Sequence, residues 1–368
     1  MKRKLTKPLG TAAGLLAVCV LLFSMPTLLN SEYWTHVLVL STIYVIMAVS
    51  LRCLARVGQI SMGSAGFMLV GAYASSILSM RWGINVWLSI LLGAFLAMVI
   101  AFGASFPFLR AKGVYFAILT VMLSEVLRNI AFYWSKLTKG YQGLSNIPVP
   151  EPIKLPGLGT ISFDSKAHYY YLIVTIGIIC LAVMYRLERS WLGLMWSSIN
   201  ENDRLAGSCG VNIKRHKQLL IVVTAFFMAI AGGFYAHYMG TITPSGDPGS
   251  PFGFTGSLYL IIYMMVGGEA YFAGPIVGAY LLTIVPELGR SLQQYIPLFM
   301  GAIMLLVVFV FPEGIVGLVM RFVAYLRGRL GQPTPPPAVA GTTTAGRVGA
   351  AVVARASADA KEPQRERD

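Results

Sequence analysis

Apolar positions along the chain fall into repeated runs of about twenty residues, separated by short polar breaks. The runs cover 9–29, 34–51, 61–80, 85–109, 113–134, 168–187, 218–238, 254–267, 270–288 and 295–311. About twenty apolar residues is the length that crosses a hydrocarbon core at helical rise. The pattern therefore predicts an all-α polytopic membrane protein of about ten transmembrane helices. The eighth run is short and flanked by glycine, as a broken or re-entrant helix would be. Two polar interruptions stand out. The stretch 135–167 carries Pro148, Pro150, Pro152 and Pro156, which enforce extended backbone. The stretch 188–217 contains a polar island, SSINENDRLAGSCGVNIKRHK at 197–217, between two long apolar runs.

Composition agrees with the pattern. Only 12% of residues are Asp, Glu, Lys or Arg and mean hydropathy is +0.68, which excludes an ordinary soluble domain. A net charge of +14 would otherwise raise nucleic acid as a partner, but the basic residues sit at the ends of apolar runs. No nucleic acid is expected, and membrane lipid is the expected surrounding. If Lys2, Arg3, Lys4 and Lys7 are cytoplasmic, alternation also places Arg52, Arg56, Arg110, Lys112, the cluster from Arg186 to Lys217, and Arg321, Arg327 and Arg329 inside. The outer side then holds only Arg81, Lys136, Lys139, Lys154, Lys166 and Arg290. That bias predicts an even number of spans with both termini cytoplasmic.

Three segments follow: 1–33, a cytoplasmic N-terminus with the first transmembrane helix; 34–320, the core, with outer loop 135–167 and cytoplasmic loop 188–217; and 331–368, a disordered cytoplasmic tail rich in Pro, Ala, Gly and Thr. The first run could also be a secretory signal, but no small-x-small cleavage site follows it, which favours a retained span. VGAY recurs at 70–73 and 277–280, hinting at two weakly related halves of the kind transporters carry. The small residues Gly63, Ala65, Gly66, Gly71, Gly274 and Gly278 read as close helix-packing positions.

No catalytic constellation is present. The chain lacks a phosphate-binding G-x-x-x-x-G-K-[ST], an H-E-x-x-H and a G-x-S-x-G. His36, His168, His216 and His237 show no metal-ligand spacing, and Cys19, Cys53, Cys180 and Cys209 are scattered. The chain is read as a non-catalytic protein without metal; any ATP would be bound by another chain. Of the intramembrane ionisable residues, Glu125 and Arg128 share a helical face at i and i+3, as a structural pair or as part of a path or gate. Glu269 reads as a solvated interfacial carboxylate. No acidic or basic ladder marks a proton pump, so an ion-coupled secondary transporter lacks its usual sign.

The polar island suits a short helix from Gly193 to Cys209, stopped by a left-handed Gly210. Leu194, Ile199, Leu205, Cys209 and Val211 would form its docking stripe, and Asn200, Glu201, Asn202, Asp203 and Arg204 its polar side. Its pattern G-x-x-x-x-x-I-x-E-N-x-x-x-A-x-x-x-G-[IV]-N, made by Gly193, Ile199, Glu201, Asn202, Ala206, Gly210, Val211 and Asn212, resembles the cytoplasmic loop of LivM-type permeases of branched-chain amino acid ATP-binding cassette importers. The resemblance continues in order through VGQISMGSAGFMLVGAY at 57–73, GVYFAILTVMLSEVLR at 113–128, LTKGYQGLSNIP at 137–148, MVGGEAYFAGPIVGAYLL at 265–282 and FPEGIVGL at 311–318. It covers about residues 34 to 320. The chain departs from that pattern at Ser64, where the family often has His or Gln. It also departs at Leu194, Ser197 and Asn200, which are often basic, and at Lys139-Gly140, where a glycine pair is usual.

The resemblance implies a permease subunit in a bacterial plasma (inner) membrane that passes Leu, Ile or Val inward. Its implied partners are a homologous LivH-type permease, two cytoplasmic ATPases that bind ATP and Mg, and an outer solute-binding protein. Urea or short amides are the alternative cargo on the same skeleton. The implied ATPase-coupling helix comprises Gly193, Ile199, Asn200, Glu201, Asn202, Arg204, Leu205 and Gly210. Gln59, Ser61, Ser64, Glu125 and Arg128 are the candidates for the translocation path or gate.

Overall fold

The computed structural model describes Phe23, Met25 and residues 31–329, except 112, 156–158, 162–164, 246–249, 289–294 and 311–313. Most of the first predicted span and the whole 331–368 tail lie outside the described residues. The chain is mostly helical: α1 Glu32–Ala55, α2 Ser64–Trp82, α3 Val86–Phe108, α4 Val114–Tyr133, α5 Lys166–Arg189, α6 Trp191–Glu201, α7 Asp203–Ser208, α8 Ile213–Met239, α9 Phe254–Gly267, α10 Ala273–Leu288, α11 Ile296–Val310 and α12 Gly314–Arg329. Five of them, α1, α3, α4, α5 and α8, are long and apolar enough to cross a membrane. α2 is kept off that list by its composition, because it carries serines and glycines along a face that is almost wholly buried.

α1 and α8 form the centre. α8 packs on α2, α3 and α1, while α1 also packs on α5, α10 and α9. Small residues make this possible. A Cβ added at Gly71 would lie 2.1 Å from Ala229 O, and one at Gly278 would lie 2.0 Å from Tyr263 O. Thus the glycine of each VGAY copy is a point where two helix backbones touch. The hydroxyls of Ser75, Ser76, Ser79, Ser89 and Ser105 donate to carbonyls three or four residues earlier, so these buried serines are satisfied within their own helices. The outer helices reverse the soluble pattern. α3 exposes Leu88, Leu91, Leu92, Phe95, Leu96, Val99, Phe102 and Phe106, a face suited to lipid rather than water.

One end of the bundle carries α6 and α7 and is called the loop end; the other carries 135–155 and 159–161 and is called the hairpin end. At the hairpin end the expected extended loop is interrupted by a helical turn at Ser135–Thr138 and two short antiparallel pairs. β1 Leu144–Ser145 pairs with β4 Thr241–Ile242, and β2 Ile153–Leu155 pairs with β3 Gly159–Ile161. Lys139 has φ 59° and Gly140 has φ 58°. Lys139 therefore places a side chain in the left-handed region at the position where the resembling family has glycine. Lys139→Gly is expected to raise stability by up to about 1 kcal/mol, read as a higher Tm in detergent, because an L-residue in that region costs about 1–2 kcal/mol.

α2 and α9 both begin inside the bundle. Residues 56–63 leave the end of α1 as non-helical chain, and α2 starts only at Ser64, not at the expected 61. A Cβ at Gly66 would lie 2.8 Å from Ser124 Cα, midway along α4, so the start of α2 is at mid-depth. α9 is 14 residues long, about 21 Å at 1.5 Å per residue, which is shorter than a hydrocarbon core. Its first-turn Ser257 Oγ accepts from Ala65 N at 3.0 Å. The two helix starts meet there.

Candidate functional site

The polar island folds as two helices rather than the single helix expected over Gly193–Cys209. Asn202 is the reason. It leaves the helical region (φ −158°, ψ 106°), and its Oδ1 accepts from Arg204 N at 3.0 Å and Leu205 N at 3.2 Å. An Asn in this conformation caps the next helix, so the chain stops α6 and starts α7 at that residue. Gly210 has φ 86° and ends the segment as expected.

α6 is fastened to the bundle at three points. A Cβ at Gly193 would lie 1.8 Å from Glu188 O, so only glycine lets α6 fold back against the last turn of α5. Trp196 and Ile199 are buried, Trp196 among Ser50, Cys53, Met184, Leu187, Leu220 and Phe227. Asn200 Oδ1 would lie 2.7 Å from a Cβ on Gly58, at the start of the non-helical stretch that leads into α2. The expected docking stripe is thus redistributed. Ile199 faces the bundle with Trp196, whereas Leu194, Leu205 and Cys209 are exposed. Glu201, Asn202 and Arg204 are exposed beside them. Lys217 Nζ lies 3.2 Å from both carboxylate oxygens of Asp203 and ties α7 to the first turns of α8.

The second group lies where α2 begins. Ser61 Oγ accepts from Gly63 N at 3.2 Å, and Thr120 Oγ1 accepts from Met62 N at 3.1 Å. Gln59 Oε1, Ser64 Oγ and Ser124 Oγ are buried with no hydrogen-bond partner among the described residues. Such groups are expensive to leave dry and unpaired. Glu125 and Arg128 follow on α4, with Arg128 Nε 2.8 Å and Nη2 2.7 Å from Glu125 Oε2. Arg128 Nη1 also donates to Pro244 O at 3.4 Å. The structure brings Ser61 and Ser64 together at the break and sets the Glu125–Arg128 pair further along α4. Thr120, Ser124 and Ser257 complete the group. No sequence signal singles them out, because a lone hydroxyl in an apolar run is usual in packed membrane helices.

Sequence reading also missed Arg52. Its Nη1 donates to Glu188 Oε1 at 2.6 Å and Oε2 at 2.8 Å, its Nε to Glu269 O at 2.8 Å and its Nη2 to Ala270 O at 3.4 Å. Glu269 therefore enters the architecture through its backbone carbonyl. Among the described residues, no group of three or more His, Cys, Asp or Glu is placed to hold a metal ion.

A bundle of apolar helices with an externally fastened polar loop and a buried break lined by hydroxyls has the form of a transport permease. The family profile described as "Branched-chain amino acid transport system / permease component" matches residues 33–309, and the chain belongs to that family of LivM-type, multi-pass membrane permeases. It is 27% identical over 319 residues to the high-affinity branched-chain amino acid transport system permease protein LivM of Escherichia coli (strain K12), covering 82% of this chain and 74% of that one. It is 25% identical over 195 residues to the guanosine ABC transporter permease protein NupQ of Bacillus subtilis (strain 168), covering 49% of this chain and 59% of that one. Among solved structures, PsaBC from Streptococcus pneumoniae in complex with Fab superposes with a TM-score of 0.42 at 13% identity, covering 79% of this chain and 96% of that chain.

Proposed function

We propose that this chain is the permease subunit of an ATP-binding cassette importer that carries branched-chain amino acids inward across a bacterial plasma membrane. In this reading it has about ten spans and both termini in the cytoplasm, so the loop end is the cytoplasmic end. It pairs with a LivH-type permease to form the pore and receives solute from an outer binding protein. Two cytoplasmic ATPases, which bind ATP and Mg, press on α6 and α7.

The observation that carries the reading is the division of labour within the polar loop. Gly193, Trp196 and Ile199 hold it rigidly to the bundle, while Glu201, Arg204 and Leu205, the last 65% exposed, point away. An apolar side chain left out beside charges at the end of a membrane bundle fits the cleft of a water-soluble partner. Polar residues are needed here because the segment must be soluble, gripped by another protein, and still stiffly joined to α5 and α8.

Glu201→Ala combined with Leu205→Ala tests this without disturbing the Asn202 cap. In vesicles holding the full assembly, radiolabelled leucine uptake is expected to fall by about tenfold or more, in keeping with the loss of interface anchors, with the protein still inserted. Uptake is also expected to stop on ATP depletion and to survive collapse of ion gradients. Uptake that follows the ion gradient would sink the class assignment. Cargo is tested separately, by competition with urea, short amides, guanosine and ribose. The last two are included because relatives named for guanosine and ribose transport match this chain.

A further inference from the structure

Arg52 and Glu188 form an ion pair that is almost fully enclosed, with side-chain exposures of 2% and 7%. Arg56 Nε lies 2.7 Å from Glu188 Oε1, and the Arg52 guanidinium sits 5.6 Å from the centre of the Phe272 ring. Burying such a pair is costly, and packed apolar residues in its place often stabilise a protein as well or better. Its position offers a reason for it beyond stability. Glu188 is in the last turn of α5, and Gly193 of α6 rests directly on the Glu188 carbonyl, so a displacement of α6 must displace Glu188.

On its other side, Arg52 holds the carbonyls of Glu269 and Ala270, immediately beyond the end of α9. There is no slack in that turn. A Cβ at Gly274 would lie 1.9 Å from Gly268 O, and one at Gly314 would lie 2.4 Å from Gly268 Cα. The 14-residue rod of α9 then runs to Ser257, whose hydroxyl holds Ala65 N at the start of α2. An unbroken series of contacts therefore joins α6, Glu188, Arg52, the 268–272 turn, α9 and the mid-depth break.

We propose that Arg52 is a positioning residue that transmits displacement of α6 to α9 and through Ser257 to the break at Gly63–Ala65, so that ATP hydrolysis and solute passage stay coupled. The inference rests on the importer reading above. A guanidinium suits the role because its rigid fork can hold a carboxylate and two carbonyls at once, which a lysine ammonium cannot do with the same geometry.

The test uses the complete assembly in proteoliposomes, with binding protein enclosed on the appropriate side. ATP hydrolysis and leucine uptake are measured on the same vesicles and normalised to assembled complex. In Arg52→Gln, binding-protein-stimulated hydrolysis is expected to stay within about twofold of wild type, while leucine moved per ATP falls by about tenfold. Arg52→Lys, which keeps the charge and loses the fork, is expected to fall between the two; if the Gln variant does not assemble, the same ratio in Arg52→Lys decides. Adding Ser257→Ala to the Arg52 variant is expected to lower the ratio no further, since both changes cut one series of contacts.

Hydrolysis and uptake that decline in step, or a ratio unchanged from wild type, would overturn the inference and reduce Arg52 to a packing role. Those outcomes leave the importer reading intact. Wild-type vesicles in which ATP drives uptake of none of the tested solutes would remove that reading, and this inference with it.

Discussion

Leucine in place of Gly71 is expected to prevent the bundle from forming. The residue faces the backbone of α8, and the first added carbon alone would fall 2.1 Å from Ala229 O. Backbone cannot rotate out of the way as a side chain can, so α2 and α8 would have to separate along much of their shared length. Overpacking usually costs about 1–3 kcal/mol; here the clash is with main chain, so the cost is expected at or above that range. The measurement is the yield of inserted, detergent-stable protein and its Tm. Gly103→Ala is the matched control, because a Cβ there meets nothing within 4 Å. In mid-helix that change should be neutral or add up to about 1 kcal/mol from helix propensity. Equal yields for the Gly71 and Gly103 variants would show that the close α2–α8 approach is not what the bundle depends on.

Removal of the Trp196 side chain is the second large expected effect. The indole is 1% exposed and lines a small cavity with Ser50 and Cys53 of α1, Met184 and Leu187 of α5, and Leu220 and Phe227 of α8. Truncating a buried Trp to Ala typically costs about 3–5 kcal/mol. Part of that cost should appear locally, because α6 would lose the anchor that holds it against α5. Trp196→Ala is therefore expected to make the 190–210 segment protease-sensitive and to lower co-purification of ATPase subunits, while Trp196→Phe retains most of both. Unchanged protease resistance in Trp196→Ala would mean that Gly193 and Ile199 suffice to hold α6.

Much of this was legible in the sequence. The nine apolar runs that fall within the described residues coincide with helices to within a few positions, because their length and polarity breaks are strong signals. The polar island was legible for the same reason, as an interruption in an apolar chain. Its division at Asn202 was not. An Asn in a helical pattern reads equally as a surface residue or as a cap, and the choice depends on whether the chain must turn there. Gln59, Ser61 and Ser64 were candidates for the path, yet Thr120, Ser124 and Ser257, which complete the group, lie on α4 and α9. Local periodicity carries no information about that meeting. Arg52 escaped notice because a basic residue at the end of a span is the ordinary mark of membrane orientation. Only its burial, and the carboxylate contributed by α5 from 136 positions away, set it apart. Lys139 shows the opposite case, in which the departure from a family glycine already pointed to a backbone position that a side chain does not favour.

The backbone at the start of α2 holds its amides in an unusual way. Met62 N, Gly63 N and Ala65 N each end on a hydroxyl, from Thr120, Ser61 and Ser257, rather than on a carbonyl of a helix or sheet. A carbonyl can be withdrawn only by moving main chain, whereas a hydroxyl leaves by a single side-chain torsion over a low barrier. The segment can thus exchange its partners for water while α2, α4 and α9 keep their own ladders. In kinetic language, opening at this point separates from unfolding, and amide hydrogens at 62–65 should exchange well ahead of those in the rest of α2.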